Sequence, residues 1–442
     1  MAHAVQPRQA PSGPDKTGAR MNSERTARLT EMMEKVVHPD NWEASLRAVE
    51  RNAGAPGPDG MKTTELRAHL SQHGEVLKRR LLEGSYQPGA ARRKDIAKAG
   101  GGARPLSIPD VQDRFVQQML LGVLSLEFDP LFSESSYGFR MGRSAHQAVE
   151  AARGYAKEGH TWVVDMDITK FFDHVNHDIL MHRIGQVVGD KRVLKIIGRY
   201  LRTQVVMPDG LKVSSEEGTP QGGPLSPLLA NIYLDALDKE LEKRGLRFVR
   251  YADDCNIYVK SEAAAQRVMA GLKEWMSRKL KLSVNASKSG VGRPWERKFL
   301  GFVITIVLLI AVSSQSLARF ADEVRLKWNG RQSLSSVELR DQWNRYIRGW
   351  WGYFGKAEDR KAVYRKEGWV RRHIRKCFWQ RWHGSVGRIR ALRRMGVAEH
   401  QVKIGCSSRG AWAMSTNSVM NQALSNATLR KQKFLMPSDL TR

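Results

Sequence analysis

Between Arg247 and Val259 the chain reads RFVRYADDCNIYV, two runs of strand-forming residues that meet at the adjacent acids Asp253 and Asp254. Neighbouring side chains on a regular strand face opposite ways, whereas at a turn both can approach one point. The run therefore predicts strand, tight turn, strand, with Ala252-Asp253-Asp254 at the turn. A second stretch, TWVVDMDI at 161–168, alternates and is rich in β-branched residues. It predicts a strand with Asp165 and Asp167 on one face and Val164 and Met166 on the other. Asp165 lies one pleat deeper than Asp167, which makes it structural rather than a direct ligand. Carboxylates drawn close together repel unless a divalent cation neutralises them. That argument predicts Mg²⁺, held by few protein carboxylates and completed by substrate phosphates, with Mn²⁺ able to take the same oxygen ligands. An Asp-Asp turn on its own is more simply a solvated turn, so the surrounding residues decide between the readings.

Composition narrows the partner. Of 442 residues, 73 are Lys or Arg and 45 are Asp or Glu, a formal charge of +28. Such an excess disfavours a small-metabolite enzyme that makes no polyanion contacts, and favours a partner carrying many phosphates. Solubility alone is better served by Glu and Asp. With 41% hydrophobic residues and 12 Trp, the chain is too apolar for a disordered basic tail. Cys255, Cys377 and Cys406 form neither a disulfide framework nor a C-x-x-C zinc module, and they fit a reducing compartment. The N-terminus lacks the apolar stretch of a secretory signal. The most apolar run, ITIVLLIAV at 304–312, is too short to span a bilayer and is expected to be a buried strand. A cytoplasmic protein with no membrane partner is expected.

The pattern along the chain predicts an α+β region up to about residue 312 and a basic, all-helical region beyond. Residues 1–25 are rich in Pro, Gly, Arg and Ser, and disorder is expected there. Helix is predicted over Thr26–Ala48, broken near His38-Pro39-Asp40 with Asn41 as N-cap, then over Thr64–Glu83, Val111–Phe128, His177–Val188 and Glu262–Leu280. RNAGAPGPDG (51–60) and GTPQGGPLSP (218–227) are constrained loops, and 91–109 is a basic hairpin.

Motifs recur in a fixed order. Tyr251-Ala252-Asp253-Asp254 is similar to the YxDD box of reverse transcriptases, and Asp167-Ile168-Thr169-Lys170-Phe171-Phe172 fits their first acidic motif. PQGGPLSP (220–227) lies between them, and LSVNASKS (282–289) and FLGF (299–302) follow. Five motifs in order are specific where any one is weak. The set resembles bacterial group II intron-encoded reverse transcriptase/maturases, within them the compact class C type. RNAGAPGPDG, SSYGFRMGRSAHQAV (135–149) and SSRGAWAMS (407–415) carry that closer match, and the resemblance covers about residue 41 to 442.

The resemblance implies a right-hand polymerase followed by an α-helical thumb that doubles as the maturase domain. It divides the chain into a tail and N-terminal extension (1–40), fingers and palm (41–312), thumb/maturase or domain X (313–395) and a helical, DNA-binding-like segment (396–442). Asp167, Asp253 and Asp254 map to the catalytic triad, and with Ile168 to the ligands of two Mg²⁺ ions. Phe172 maps to the ring that excludes a 2′-OH, with a core Phe beside Phe171 as the alternative. Lys98 and Arg104 resemble the triphosphate grip, and general RNA-backbone contact remains open for Lys98. Gln221 and Gly222 match the dNTP-facing turn, and Lys288 resembles the lysine near the leaving pyrophosphate. His174, His177 and Asp178 are expected to cap or pack rather than bind metal.

In the C-terminal region, 361–395 holds 12 Lys/Arg against one acid, Glu367. Val370, Ile374, Phe378 and Trp382 form an apolar stripe, while Arg371, Arg372, Arg375 and Lys376 crowd the remaining surface and are expected to meet RNA phosphate. Most of the tryptophans there are expected in the core.

The partners implied are the parent intron RNA, an RNA template with DNA or RNA primer, dNTPs and target DNA, with nucleoid association in a bacterium when acting on DNA. No HNH-type endonuclease motif follows the maturase region, so second-strand cleavage is not expected. Two other readings stay open: an RNA-binding splicing factor with a vestigial polymerase, and a domesticated reverse transcriptase in phage defence or DNA repair.

Overall fold

A computed structural model describes residues 30–97, 102–214, 217–219 and 221–441. The expected disorder of 1–25, the start of the helix predicted from Thr26, Lys98 and Pro220 lie outside the described residues. The chain divides into two compact units: described residues up to Ser144 with Asp165–Ile257 and Gln266–Gly290, and Ala145–Val164 with Tyr258–Ala265 and Val291–Arg442. These limits do not coincide with the sequence divisions at 312/313 and 395/396.

The first unit opens with helices α1 (Met32–Val36) and α2 (Pro39–Asn52). His38, not Asn41, is the N-cap of α2, because Pro39 fixes the backbone for the first helical position and the imidazole accepts from the Asp40 N–H. The Asn41 amide instead donates to the Val36 and Met119 carbonyls. After α3 (Leu66–Leu82), β1 (Ala91–Ala97) and β2 (Ala103–Ile108) form the predicted basic hairpin, antiparallel from Arg92 opposite Ile108 to Ala97 opposite Ala103. Helix α4 (Val111–Phe128) buries Phe115, Val116, Met119 and Leu120, and the Trp42 ring packs edge-on against Phe115 at 4.8 Å.

Helix α5 (Ala145–Lys157) and the start of β3 (Trp162–Asp167) belong to the second unit. Back in the first, α6 (His177–Gly185) is capped by Asn176, and α7 (Lys191–Leu201) leads to the short strands β4 (Val205–Val206) and β5 (Lys212–Val213). The hairpin sheet runs β2-β1-β4-β5. Apolar α8 (Ser226–Lys243) precedes β6 (Arg247–Tyr251) and β7 (Asp254–Val259), then come α9 (Glu262–Leu280) and β8 (Gly290–Gly292). The second sheet has the order β6-β7-β3-β8, so the strands carrying the acids are neighbours.

In the second unit, β9 (Phe302–Ile304) and β10 (Ile310–Val312) correct the expectation of one buried strand. The oily run is a hairpin: Thr305 and Leu309 close its turn, Ile304 and Ile310 are buried, and Ile306 and Val307 at the tip are exposed. Helices α10 (Ser314–Lys327), α11 (Ser336–Phe354), α12 (Lys361–Arg381) and α13 (Gly384–Arg394) surround a core of Phe320, Trp328, Trp343, Ile374 and Trp379. Met414, Met420, Leu424 and Phe434 join the same core, and the Trp343 indole donates to the Leu435 carbonyl at 2.7 Å. Residues beyond 396 are thus part of this unit's interior. Among the described residues no helix is long and apolar enough to cross a membrane.

Candidate active site

Asp167 ends β3, and three contacts hold it there. Its N–H donates to the Ser289 hydroxyl at 2.8 Å, its carbonyl accepts from Asn285 N–H at 2.8 Å, and Lys288 Nζ lies 3.5 Å from its carboxylate. Residues 285–289 of the LSVNASKS motif therefore form one brace around the first acid. Buried Ile168 bridges Val284 in the same brace.

The second and third acids sit where the neighbouring strand begins. A two-residue turn, Ala252-Asp253, joins β6 to β7, and Asp254 is the first residue of β7. Ala252 takes φ +59°, a left-handed conformation that costs an L-residue about 1–2 kcal/mol. Such strain persists only where the surroundings over-determine it, and here they do. Arg250, fully buried one turn-length before, donates to the Ala252 carbonyl at 2.9 Å. The same guanidinium pairs with both oxygens of buried Asp238 at 2.7 and 2.5 Å, and reaches Asn231 and Ser136 at 3.0 and 2.8 Å. Gly138 lies against the turn so closely that an added Cβ would stand 2.3 Å from Ala252 N, and its carbonyl accepts from Asn231.

Burial pushes the Asp253 carboxyl above its ordinary range, opposed by the positive charge of Arg104 and reinforced by the negative charge of Asp167. The site thus carries negative charge from two strands with the Arg104 cation within electrostatic reach. Among the described residues no three His, Cys, Asp or Glu side chains form a cage that would hold an ion unaided. The donors present are hard carboxylate oxygens. That set suits Mg²⁺, which keeps most of its shell for water and phosphate and takes only one or two protein carboxylates. Asp167, Asp253 and Asp254 could hold it on this basis.

The remaining predicted residues gather on the hairpin side. Phe171 is 2% exposed and packs on Tyr233, whereas Phe172 is only half-buried, which assigns the core role to Phe171. The Phe172 carbonyl accepts from Thr219 N–H at 2.7 Å. Gln221 is docked on β2, its carbonyl accepting from Ser107 N–H at 2.6 Å. Gly222 takes φ +128°, and a Cβ there would lie 2.4 Å from the Ser107 carbonyl oxygen, so only glycine permits this approach. Arg104, three residues before Ser107 on the same strand, is exposed. His177 is buried against the Gly218 carbonyl at 2.6 Å, the packing role expected of it.

Three of the four residues expected to meet RNA phosphate also have partners within their own unit. Arg371 pairs with Glu367 at 2.9 Å. Arg372 stacks 3.7 Å from the Trp412 ring centre and donates to Ser415, and Arg375 donates to the Leu424 carbonyl at 2.9 Å. Arg372 and Arg375 thereby tie α12 to the segment 411–426. Lys376 is half-buried.

Arg250, Asp238, Asn231 and Gly138 were not marked by spacing. One signal was available: Arg250 shares a strand with Phe248 and Val249, and a cation among apolar neighbours needs a buried partner.

Two family models match the chain. "Reverse transcriptase (RNA-dependent DNA polymerase)" matches residues 96–304, and "Group II intron, maturase-specific domain" matches 317–396. Protein YkfC of Escherichia coli is 34% identical over 226 residues, 50% of this chain and 59% of that protein. The group II intron-encoded protein LtrA of Lactococcus lactis is 31% identical over 223 residues, 50% of this chain and 37% of that protein. The chain thus spans less than two thirds of either relative. A solved structure titled a partial Cas6-RT-Cas1–Cas2 complex matches 57% of this chain and 43% of its own at 28% identity, with a TM-score of 0.37. The two family matches follow one another along the chain, which therefore carries a reverse transcriptase domain followed by a group II intron maturase-specific domain.

Proposed function

We propose that this chain is an RNA-directed DNA polymerase that extends a DNA or RNA primer with dNTPs on an RNA template, and that it binds its parent group II intron RNA to assist splicing and retrohoming into target DNA. The observation that supports the polymerase reading is that Asp167 ends β3 and Asp253-Asp254 lie at the start of its neighbour β7, with Lys288 on one acid and Arg104 in electrostatic reach of another.

In the proposed reaction the primer 3′-oxygen attacks the α-phosphorus of the dNTP; a new P–O bond forms and the bond to pyrophosphate breaks. Asp167, Asp253 and Asp254 would hold Mg²⁺, which when bound would supply Lewis-acid stabilisation to the entering and leaving oxygens. Arg104 grips triphosphate oxygens, for which a guanidinium fork is suited. Lys98 would add a second cation on the same hairpin. Gln221 and Gly222, fixed on Ser107, offer backbone against which the nucleotide lies. The Phe172 ring occupies the space a 2′-OH would need. Lys288, paired with Asp167 in the free protein, exchanges that partner for the departing pyrophosphate in this reading.

Primer extension on an RNA template with Mg²⁺ and dNTPs tests the reading. Wild type should synthesise DNA, and Asp253→Ala should lose at least about 10³-fold of the rate, the scale of removing a principal electrostatic stabiliser. Equal synthesis by both proteins would remove the metal-site assignment. Wild type that binds RNA without synthesis would favour the vestigial reading.

A further inference from the structure

A cavity of about 620 Å³ opens in the second unit between the start of α11, the end of α12, helix α13 and the chain at 432–434. Its volume lies in the range of pockets that enclose whole small molecules, about 300–1,000 Å³, and far exceeds what one phosphate needs. Its floor is aromatic: Phe378 and Phe434 are 5% and 4% exposed, and the half-buried Trp382 ring stands 6.3 Å from Phe378. Its rim is cationic.

The arginines of the rim divide into two kinds. Arg381 is committed to the Gln332 and Leu334 carbonyls, and Arg340 to Asp341 at 2.8 Å, so both hold the walls. Arg390 and Arg394 are exposed, four residues apart on α13 and therefore on one face. Neither has a hydrogen-bond or ion-pair partner among the described residues. Their neighbour Arg393 is by contrast paired with Glu399. Ser336 and Val337, the first turn of the 19-residue α11, add the positive end of a helix dipole to the same wall.

An apolar aromatic floor beneath two unpaired guanidinium groups matches a flat heterocycle attached to phosphates. The aromatic faces stack a base, and the guanidinium forks take phosphate oxygens. With 12 Lys/Arg against one acid over 361–395, the local field favours a polyanion strand over a single anion. A base held in a duplex cannot enter such a cavity, whereas one in a loop or bulge can.

We propose that this cavity takes one unstacked nucleotide of a single-stranded segment of RNA, Arg390 and Arg394 holding its flanking phosphates and Trp382 stacking its base. This rests on the RNA-binding reading above and moves its contact from the Arg371–Lys376 stretch to α13.

The test uses the full chain and three probes of equal length: a single-stranded RNA carrying 2-aminopurine, a blunt RNA duplex, and single-stranded DNA of the same sequence. Affinities are read over a salt series. Replacing both Arg390→Gln and Arg394→Gln, exposed and safe for folding, should weaken single-stranded RNA binding about 10-fold or more and reduce its salt slope by about 1.4, at roughly 0.7 per phosphate contact. Trp382→Leu keeps an apolar side chain but removes the stacking ring; it should abolish the 2-aminopurine fluorescence change and cost about 5- to 100-fold on single-stranded RNA, with duplex binding unchanged. Variants that bind single-stranded RNA as wild type does would overturn the proposal. So would equal losses on duplex and single strand, which would mark a general backbone surface, or equal affinity for the DNA strand. Wild type that binds none of the RNAs would overturn this proposal and the RNA-binding reading together, whereas unaltered variants would overturn this one alone.

Discussion

Arg250 holds the turn that carries Asp253 and Asp254. Its guanidinium touches Asp238, Asn231, Ser136 and the carbonyl of strained Ala252 together. Removing one partner of a buried pair typically costs about 3–5 kcal/mol because the other charge is stranded. Arg250→Met is therefore expected to lower stability on that scale in urea denaturation. Arg250→Lys keeps the charge but loses the fork, and its kcat should fall with little change in the KM for dNTP, since the turn carrying Asp253 and Asp254 loosens while the nucleotide-facing residues stay. A proportionate rise in KM alone would contradict the positioning role. At Phe172, substitution by Ala should raise rNTP incorporation relative to dNTP in single-nucleotide extension, and an unchanged ratio would return Phe172 to the core beside Phe171. The acids were legible because two adjacent charges inside apolar runs admit few placements. The support of Arg250 was not, because its partner Asp238 stands on α8 and only the tertiary fold pairs them.

At the scale of elements, α12 shows basic side chains making contacts within the fold. Arg372→Ala with Arg375→Ala should loosen the segment 411–426, at about 1.5–3 kcal/mol for each hydrogen bond from a charged group. Hydrogen exchange there should quicken while the salt slope of RNA binding stays as in wild type. A slope reduced without faster exchange would restore their phosphate role. On α4, burial pushes the Asp113 carboxyl up to about 6, against the hydrogen bonds from Tyr86 at 2.7 Å and Gly89 N–H at 2.9 Å. A carboxyl raised in the folded state contributes stability that is complete below its unfolded value near 3.8 and is lost as pH rises through about 6. Asp113→Asn should flatten that decline, and urea midpoints across the window would show it. Parallel pH profiles would contradict it. The β9–β10 hairpin was missed for a related reason: an unbroken apolar run carries no Gly, Pro or Asn to mark a turn, yet Leu308 takes φ +59° and supplies one.

For the molecule as a whole, a charge of +28 predicts that the proposed RNA binding is driven by release of counterions. Log affinity for RNA should fall linearly with log salt, and a flat response would remove the electrostatic account. The α+β order, the basic hairpin and the helical C-terminal region were legible because each has its own periodicity. The division into units was not, since the chain passes between them within β3, β7 and β8, and no loop composition marks such a crossing. The central claim is that Asp167, Asp253 and Asp254 act together through shared ions. Mn²⁺ titration followed by electron paramagnetic resonance, with primer–template and a non-hydrolysable dNTP bound, tests it most directly. Wild type should hold about two ions in the manner of a two-metal site, and Asp167→Ala and Asp253→Ala should each lose at least one. The same number of ions at the same affinity in all three proteins would contradict the account.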